Sequence, residues 1–301
     1  MPDWNSLVDE VQDAGATHDI VRRKYLKRLQ QYTKRNVIVY YSAWLQKSSL
    51  ARKGVSGFEI NDLDKNALMA TIYQLDRDKG LDLFLHTPGG DIAATESLVD
   101  YLHSLFGEDI RVVVPQLAMS AGTMIAFAGR EIVMGKHSSL GPFDPQLGGT
   151  PVMAIIDEWN RATEETRVDS VRGQFWAQII RNYPPGLVGS AEHLRDWAQS
   201  LVTKWLTECM FKDKDDPAAC AKEVVDELGS HAATKAHNRH ISAQKARDLG
   251  LNVAMLENDQ RLQERVLTVH HACMLSLSDQ PIIKLIENHN GIAYNQLYEL
   301  T

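Results

Sequence analysis

Two short runs in this chain hold residues whose types and spacing could perform acyl chemistry together. The first is His86-Thr-Pro-Gly-Gly-Asp91, set between a strand-like and a helix-like stretch. Adjacent glycines let a backbone approach a ligand with no Cβ in the way. The amides of Gly90 and Asp91 would open the following helix, where partial positive charge gathers and anions are held. The same Pro-Gly-Gly pattern also makes plain turns. The second run is Ala118-Met-Ser-Ala-Gly122, which sets Ser120 among small residues at a strand-to-helix turn. Small neighbours let the chain bend sharply around an exposed hydroxyl, the steric logic of a nucleophile elbow. The Ala121 amide, next in the chain, is a further oxyanion donor. The competing reading is a serine that only caps the next helix.

The elements around these runs must bring them to one place. Asn36–Ser42, Leu81–His86, Ile110–Val114 and Glu131–Met134 are rich in β-branched and apolar residues and read as strands. Between them, Asn61 to Lys79 and Ile92 to Phe106 read as helices stopped by Gly80 and Gly107, and a further helix begins near Ser120. Leu45 to Gly57 reads as a loop. Apolar strands alternating with helices indicate a parallel sheet covered on both faces. In such sheets, consecutive β-turn-α units place their turns at the carboxyl ends of neighbouring strands, so both runs would face one crevice.

Beyond Gly149 the pattern is mostly helical: Met153 to Glu165, Ser170 to Arg181, Glu192 to Met210, and Pro217 to Leu228 with Asp216 as its cap. Ser242 to Leu249 reads as a short helix before a returning strand, Leu251-Asn-Val253. Gln260 to Leu277 and Pro281 to Asn288 both read as helices, with a subunit interface as one use for them. The chain divides into a helical segment (1–35), an α/β core (36–253) and a helical extension (254–301).

The totals exclude several classes. With 301 residues, 44% hydrophobic and 24% charged, the chain can build a sizeable core and is not mainly disordered. A net charge of −7, without a basic stripe carrying interleaved aromatics, gives nucleic-acid binding little support. Cys209, Cys220 and Cys273 form no Cys-x-x-Cys pair, which suits a reducing compartment. The uncharged run from Val112 to Gly129 contains Pro115, Gln116 and Ser120, so it reads as buried strand, turn and helix rather than a membrane span. Its start has no secretory pattern, and a cytoplasmic location is expected. No nucleotide fingerprint and no phosphate-cradling glycine loop is present, so no cofactor is expected.

Thr87-Pro-Gly-Gly90, Ala118-Met-Ser-Ala-Gly122 and Leu140-Gly-Pro-Phe-Asp-Pro-Gln146 together resemble the serine dehydrogenase proteinase family of the Clp/crotonase superfamily, which also holds the Clp proteolytic subunit and signal peptide peptidase A. The resemblance runs from about Lys24 to Val253 and is strongest between Leu81 and Gln146. It implies a Clp/crotonase-type spiral of ββα units with a largely helical C-terminal half, acting as a serine peptidase on peptide or protein substrates, usually as a homo-oligomer. By position, Ser120 matches the nucleophile, Gly90 and Asp91 the oxyanion loop, and Ala121 the amide beside the nucleophile. Arg239 to Leu251 resembles the segment after the last catalytic position of Clp subunits. Any ATP-driven unfolding would come from a partner.

The general base is where the pattern departs. A serine hydroxyl needs a base within hydrogen-bond reach. Where Clp subunits place a histidine, this chain has Asp144, and no lysine lies between Lys136 and Lys204 for a Ser-Lys dyad. His237 and Lys235 are favoured, with His240, Asp144, His86 and His137 as further candidates. The grouping of His231, His237 and His240 also fits zinc spacing, but no carboxylate or His-x-x-x-His accompanies it, and no metal is expected. Two other functions stay open: a scaffold that has lost activity, and acyl-CoA chemistry on the same amides.

Overall fold

The computed structural model describes residues 7–8, 18–229 and 239–298. Alternation along strand β1 (Asn36–Ser42) explains the architecture. Val37, Val39 and Tyr41 point to one face, Ile38 and Tyr40 to the other, and every residue of the strand is buried. A strand apolar on both sides needs cover on both sides. Parallel neighbours β2 (Leu81–His86), β3 (Ile110–Val114) and β4 (Glu131–Met134) follow from it in order, each reached through a right-sized helical crossover. The crossovers include α2 (Leu63–Ile72), α3 (Ile92–Phe106) and α4 (Ala121–Phe127). The α/β reading holds, and the returning strand lies at Val253–Met255, parallel to β4. The Leu45–Gly57 loop contains one short helix, Ser48–Arg52.

On one face lie α2, α3 and α4, joined by α7 (Leu187–Trp205), α8 (Pro217–Leu228) and α9 (Ala243–Asp248) around Trp205, Phe127 and Phe143. Two helices between α4 and α7, α5 (Val152–Val168) and α6 (Ser170–Ile180), stand apart over a small cluster of Val152, Ile155, Ile156 and Ala191. On the opposite face, α1 (His18–Thr33) packs against α10 (Gln260–Asp279). Among the described residues no helix is long and apolar enough to cross a membrane.

One sequence expectation fails. Pro281 to Asn288 is not helical: β6 (Ile282–Asn288) lies antiparallel to β1, and β7 (Ala293–Leu297) pairs outside it. With β5 as Val253–Met255, the sheet order is β5-β4-β3-β2-β1-β6-β7. Lys284, Glu287 and Asn288 are polar, yet all three are buried in this strand. Tertiary partners explain why. Glu287 accepts from Arg22 (2.5 Å) and Arg23 (2.6 Å) of α1, and Asn288 donates to the Thr71 carbonyl (2.6 Å). A buried charge is tolerated when it is paired and hydrogen-bonded.

His86 ends β2 on the α10 face, away from the turn that follows it. Its ring centroid lies 4.2 Å from that of Trp44, tilted, and 5.7 Å from that of His270, edge-on, whose Nδ1 lies 3.0 Å from the Tyr41 hydroxyl. Burial pushes the His86 pKa down to about 3 and holds His270 well below its ordinary value. In an unfolded chain both titrate near pH 6.5. The unfolded state therefore binds more protons below that pH, so this stability is whole above about pH 6.5 and drains as pH falls toward 3. At pH 5 the loss from His86 alone should reach about 2 kcal/mol. Urea midpoints at pH 7 and pH 5 check this: His86→Phe, which keeps an aromatic ring, should shrink the difference between the two midpoints. An unchanged difference would show that His86 is not part of the acid response.

Candidate active site

Three small strands outside the main sheet bring the sequence runs together. Leu117–Ala118 pairs with Ser139–Leu140, which pairs with Ile241–Ser242. Thr87 locks the first of these to the Pro-Gly-Gly turn from both sides. Its amide donates to the Leu117 carbonyl (3.2 Å), and its carbonyl accepts from the Met119 amide (3.0 Å). Chain order alone would leave these turns merely nearby; this bridge makes them adjacent.

Ser120 follows immediately, with φ +52° and ψ −120°. Positive φ is rare for a residue with a Cβ, and such strain costs on the order of 1–3 kcal/mol. It persists because the surroundings admit little else. Gly89 packs so closely that a Cβ there would stand 2.6 Å from the Ser120 Cβ and 3.0 Å from the Ala121 nitrogen. A Cβ at Gly122 would stand 2.4 Å from the Thr87 methyl carbon. The Thr123 hydroxyl donates to the Ala118 carbonyl (2.8 Å) and accepts from the Gly141 amide (3.0 Å), tying the elbow to the Gly141–Phe143 strip. Ser120 heads α4, yet its hydroxyl makes no capping bond. The helix-cap reading is thus excluded, and the side chain is left to the cleft beside it.

That cleft has a volume of about 290 Å³. Ser120, Gly90 and Ala121 line it together with the polar Glu59, Asp91 and Gln146, while Met124, Phe143, Leu194 and Trp197 give it an apolar wall. Sequence reading did not find the α7 residues Leu194 and Trp197, because nothing in an amphipathic helix says which surface it will cover. Trp197 is set by donating to Glu96 of α3 (3.1 Å).

Two of the expected amides are free for a ligand and one is not. Neither Gly90 nor Ala121 donates to a protein acceptor among the described residues. The Asp91 amide, expected beside them, instead donates to the Ile60 carbonyl (3.0 Å), while the Ile60 amide donates to the Gly89 carbonyl (2.8 Å). Amides alternate in direction along extended backbone. With its neighbours bonded to Ile60, Gly90 turns its own N–H to the other side. The Asp91 carboxylate caps α3 at the Ala94 amide (2.8 Å). Two donors beside an uncapped hydroxyl can hold a carbonyl oxygen while the hydroxyl adds to its carbon.

The candidate bases are dispersed. Asp144 is fully buried, between Phe143 and Pro145, which both line the cleft. His86 belongs to the opposite face, and His137 is exposed near the same histidine cluster. His240 is exposed beside Ile241, in a separate groove with Lys245. His237, Lys235 and His231 lie outside the described residues. Among the described residues no group of three or more His, Cys, Asp or Glu could hold a metal ion.

Comparison with known proteins places the chain in a family. A family model described as ClpP-like SDH-type serine proteinase matches residues 12–174. The chain belongs to this family. It is similar to the uncharacterized protein MJ0137 of Methanocaldococcus jannaschii, 30% identical over 264 residues, covering 87% of this chain and 80% of that one. It is also similar to MJ1495 of the same organism, 27% identical over 190 residues, covering 63% of this chain and 57% of the relative. The family match spans the strand-and-turn half that builds the Ser120 elbow and continues through α5.

The close packing makes two glycines indispensable for different reasons. Gly122→Ala should cost about 1–3 kcal/mol in urea unfolding, and Thr87→Ser, which removes the opposing methyl but keeps the hydroxyl that accepts from Gly89, should restore most of it. Gly89→Ala, at φ +101° and 2.8 Å from the Met119 carbonyl oxygen, should find no such rescue. Additive effects of Gly122→Ala and Thr87→Ser would show that this contact is not the cause.

Proposed function

We propose that this family member is a serine peptidase in which Ser120 is the nucleophile and the Gly90 and Ala121 amides hold the oxyanion. The observation that carries this reading is the Ser120 elbow: a non-glycine residue at φ +52°, its hydroxyl uncapped, in a cleft beside two amides that donate to no acceptor among the described residues. A helix cap or a plain turn needs none of that strain. In the reaction the Ser120 Oγ–C bond forms as its proton passes to a base, and the carbonyl electron pair moves to an oxygen received by the two amides. Collapse breaks the C–N bond, and the proton goes to the leaving amine. Water then hydrolyses the acyl-serine by the same route.

His237 is the proposed base. Ile241 is four residues further on and pairs with Leu140, one strand away from Ala118. By resemblance, the segment of His237 is the one just before Arg239–Leu251, the run that follows the last catalytic position of Clp subunits. Lys235, in the same segment, is the alternative. The apolar wall favours peptides with an apolar side chain beside the scissile bond. Exposed Val168, Val171 and Phe175 on α5 and α6 give a homo-oligomer a face to use.

Fluorophosphonate labelling tests this. Wild type should be phosphonylated and Ser120→Ala should not. His237→Ala should slow labelling by about 10²–10⁴-fold, and Lys235→Ala should change it little. Labelling that survives Ser120→Ala would assign the nucleophile elsewhere. A folded wild type that never labels would support a scaffold role.

A further inference from the structure

The strip Glu59–Asn61 decides which way Gly90 faces, and the strip itself is held at both ends by a buried ion pair. Lys284 of β6 and Asp64 of α2 are both fully buried, with Nζ 2.7 Å and 3.0 Å from the two carboxylate oxygens. The Lys284 ammonium also donates to the Glu59 carbonyl (2.7 Å). Asp64 accepts from the Asn61 amide (3.0 Å) and from the Tyr40 hydroxyl (2.7 Å). Between these two fixed peptide groups lies Ile60, whose amide and carbonyl take up Gly89 and Asp91. The contact is close enough that a Cβ at Gly90 would stand 2.3 Å from the Ile60 nitrogen.

A buried ion pair is a poor device for stability alone, since apolar residues of similar volume often serve as well or better. It is a good device for fixing direction, because each charge satisfies several partners along defined axes. Here one bond from each charge, to the Glu59 carbonyl and from the Asn61 amide, ends on a strip of backbone that has no helix or main-sheet pairing of its own.

We infer that Lys284 and Asp64 are positioning residues for the Gly90 amide, acting through the Glu59–Asn61 strip. This rests on the peptidase reading for its functional consequence, but its structural consequence is separate. A substrate's carbonyl oxygen never touches either side chain. Removing the pair should therefore leave ground-state binding in the cleft nearly unchanged and weaken only the interaction that grows as charge develops on oxygen.

The variants are Lys284→Met and the double variant Asp64→Leu/Lys284→Met; the double variant leaves no unpaired buried charge and guards against simple unfolding of the single one. Two readouts are needed. Hydrogen exchange should show the Ile60 and Asp91 amides exchanging at least tenfold faster in the folded double variant, with Val112 of β3 unchanged. With a fluorogenic ester, kcat should fall tenfold or more at a KM within about twofold of wild type. Unchanged exchange at Ile60 and Asp91 would overturn the inference, as would faster exchange spread equally through β3. If wild type shows no esterase or labelling activity, the peptidase reading fails, while the exchange result still decides whether this pair positions the turn. Loss expressed wholly in KM would overturn the catalytic consequence.

Discussion

The close approach of Gly89 to Ser120 is the constraint on which the site depends. A serine at positive φ relaxes unless its neighbours forbid it, and each neighbour here removes one escape. The Thr87 backbone holds Leu117 and Met119 from one side, so the chain cannot unbend toward the sheet. The Thr123 hydroxyl pins the Ala118 carbonyl from the helix side. Gly89 and Gly122 supply the space that any larger residue would fill. The strain is small beside the packing that enforces it, because α4 is buried along its whole length.

The sheet carries this elbow at its carboxyl ends and keeps its own edge from exposure. β1 would be an edge strand if the parallel series stopped there, and it is buried on both faces. β6 and β7 pair beside it, with antiparallel geometry that needs no crossover helix. That cover brings Lys284, Glu287 and Asn288 into the interior, where α1 and α2 answer each of them. The C-terminal hairpin thus links the outer layer of helices to the strip beneath Gly90, and the same strand that closes the sheet holds the site.

The site is built from backbone as much as from side chains, which sets what a sequence can reveal. Ser120, Gly89, Gly90 and Gly122 are visible because small residues cluster abnormally around one hydroxyl. Asp91 is misread at the level of its amide: its place after the glycines is correct, but only the pairing with Ile60 shows that this N–H is already bonded. Ile60 carries no signal at all, since its role uses only atoms common to every residue. Leu194 and Trp197 reach the cleft from seventy or more residues away by helix packing.

Residue type and period alone determined the parallel α/β core, the helices between its strands, and the pairing of a glycine turn with a serine turn at the strand ends. Those features are local, or follow from the handed connection of consecutive β-α units. Tertiary structure decided the rest. It made Ile282–Asn288 a strand, because pairing beside β1 outweighs a local helical preference. It sent His86 to the far face, because alternation along β2 continues through its last residue. It chose Gly90 over Asp91 as the free donor, because hydrogen-bond direction depends on what lies opposite, and the partner lies some thirty residues away.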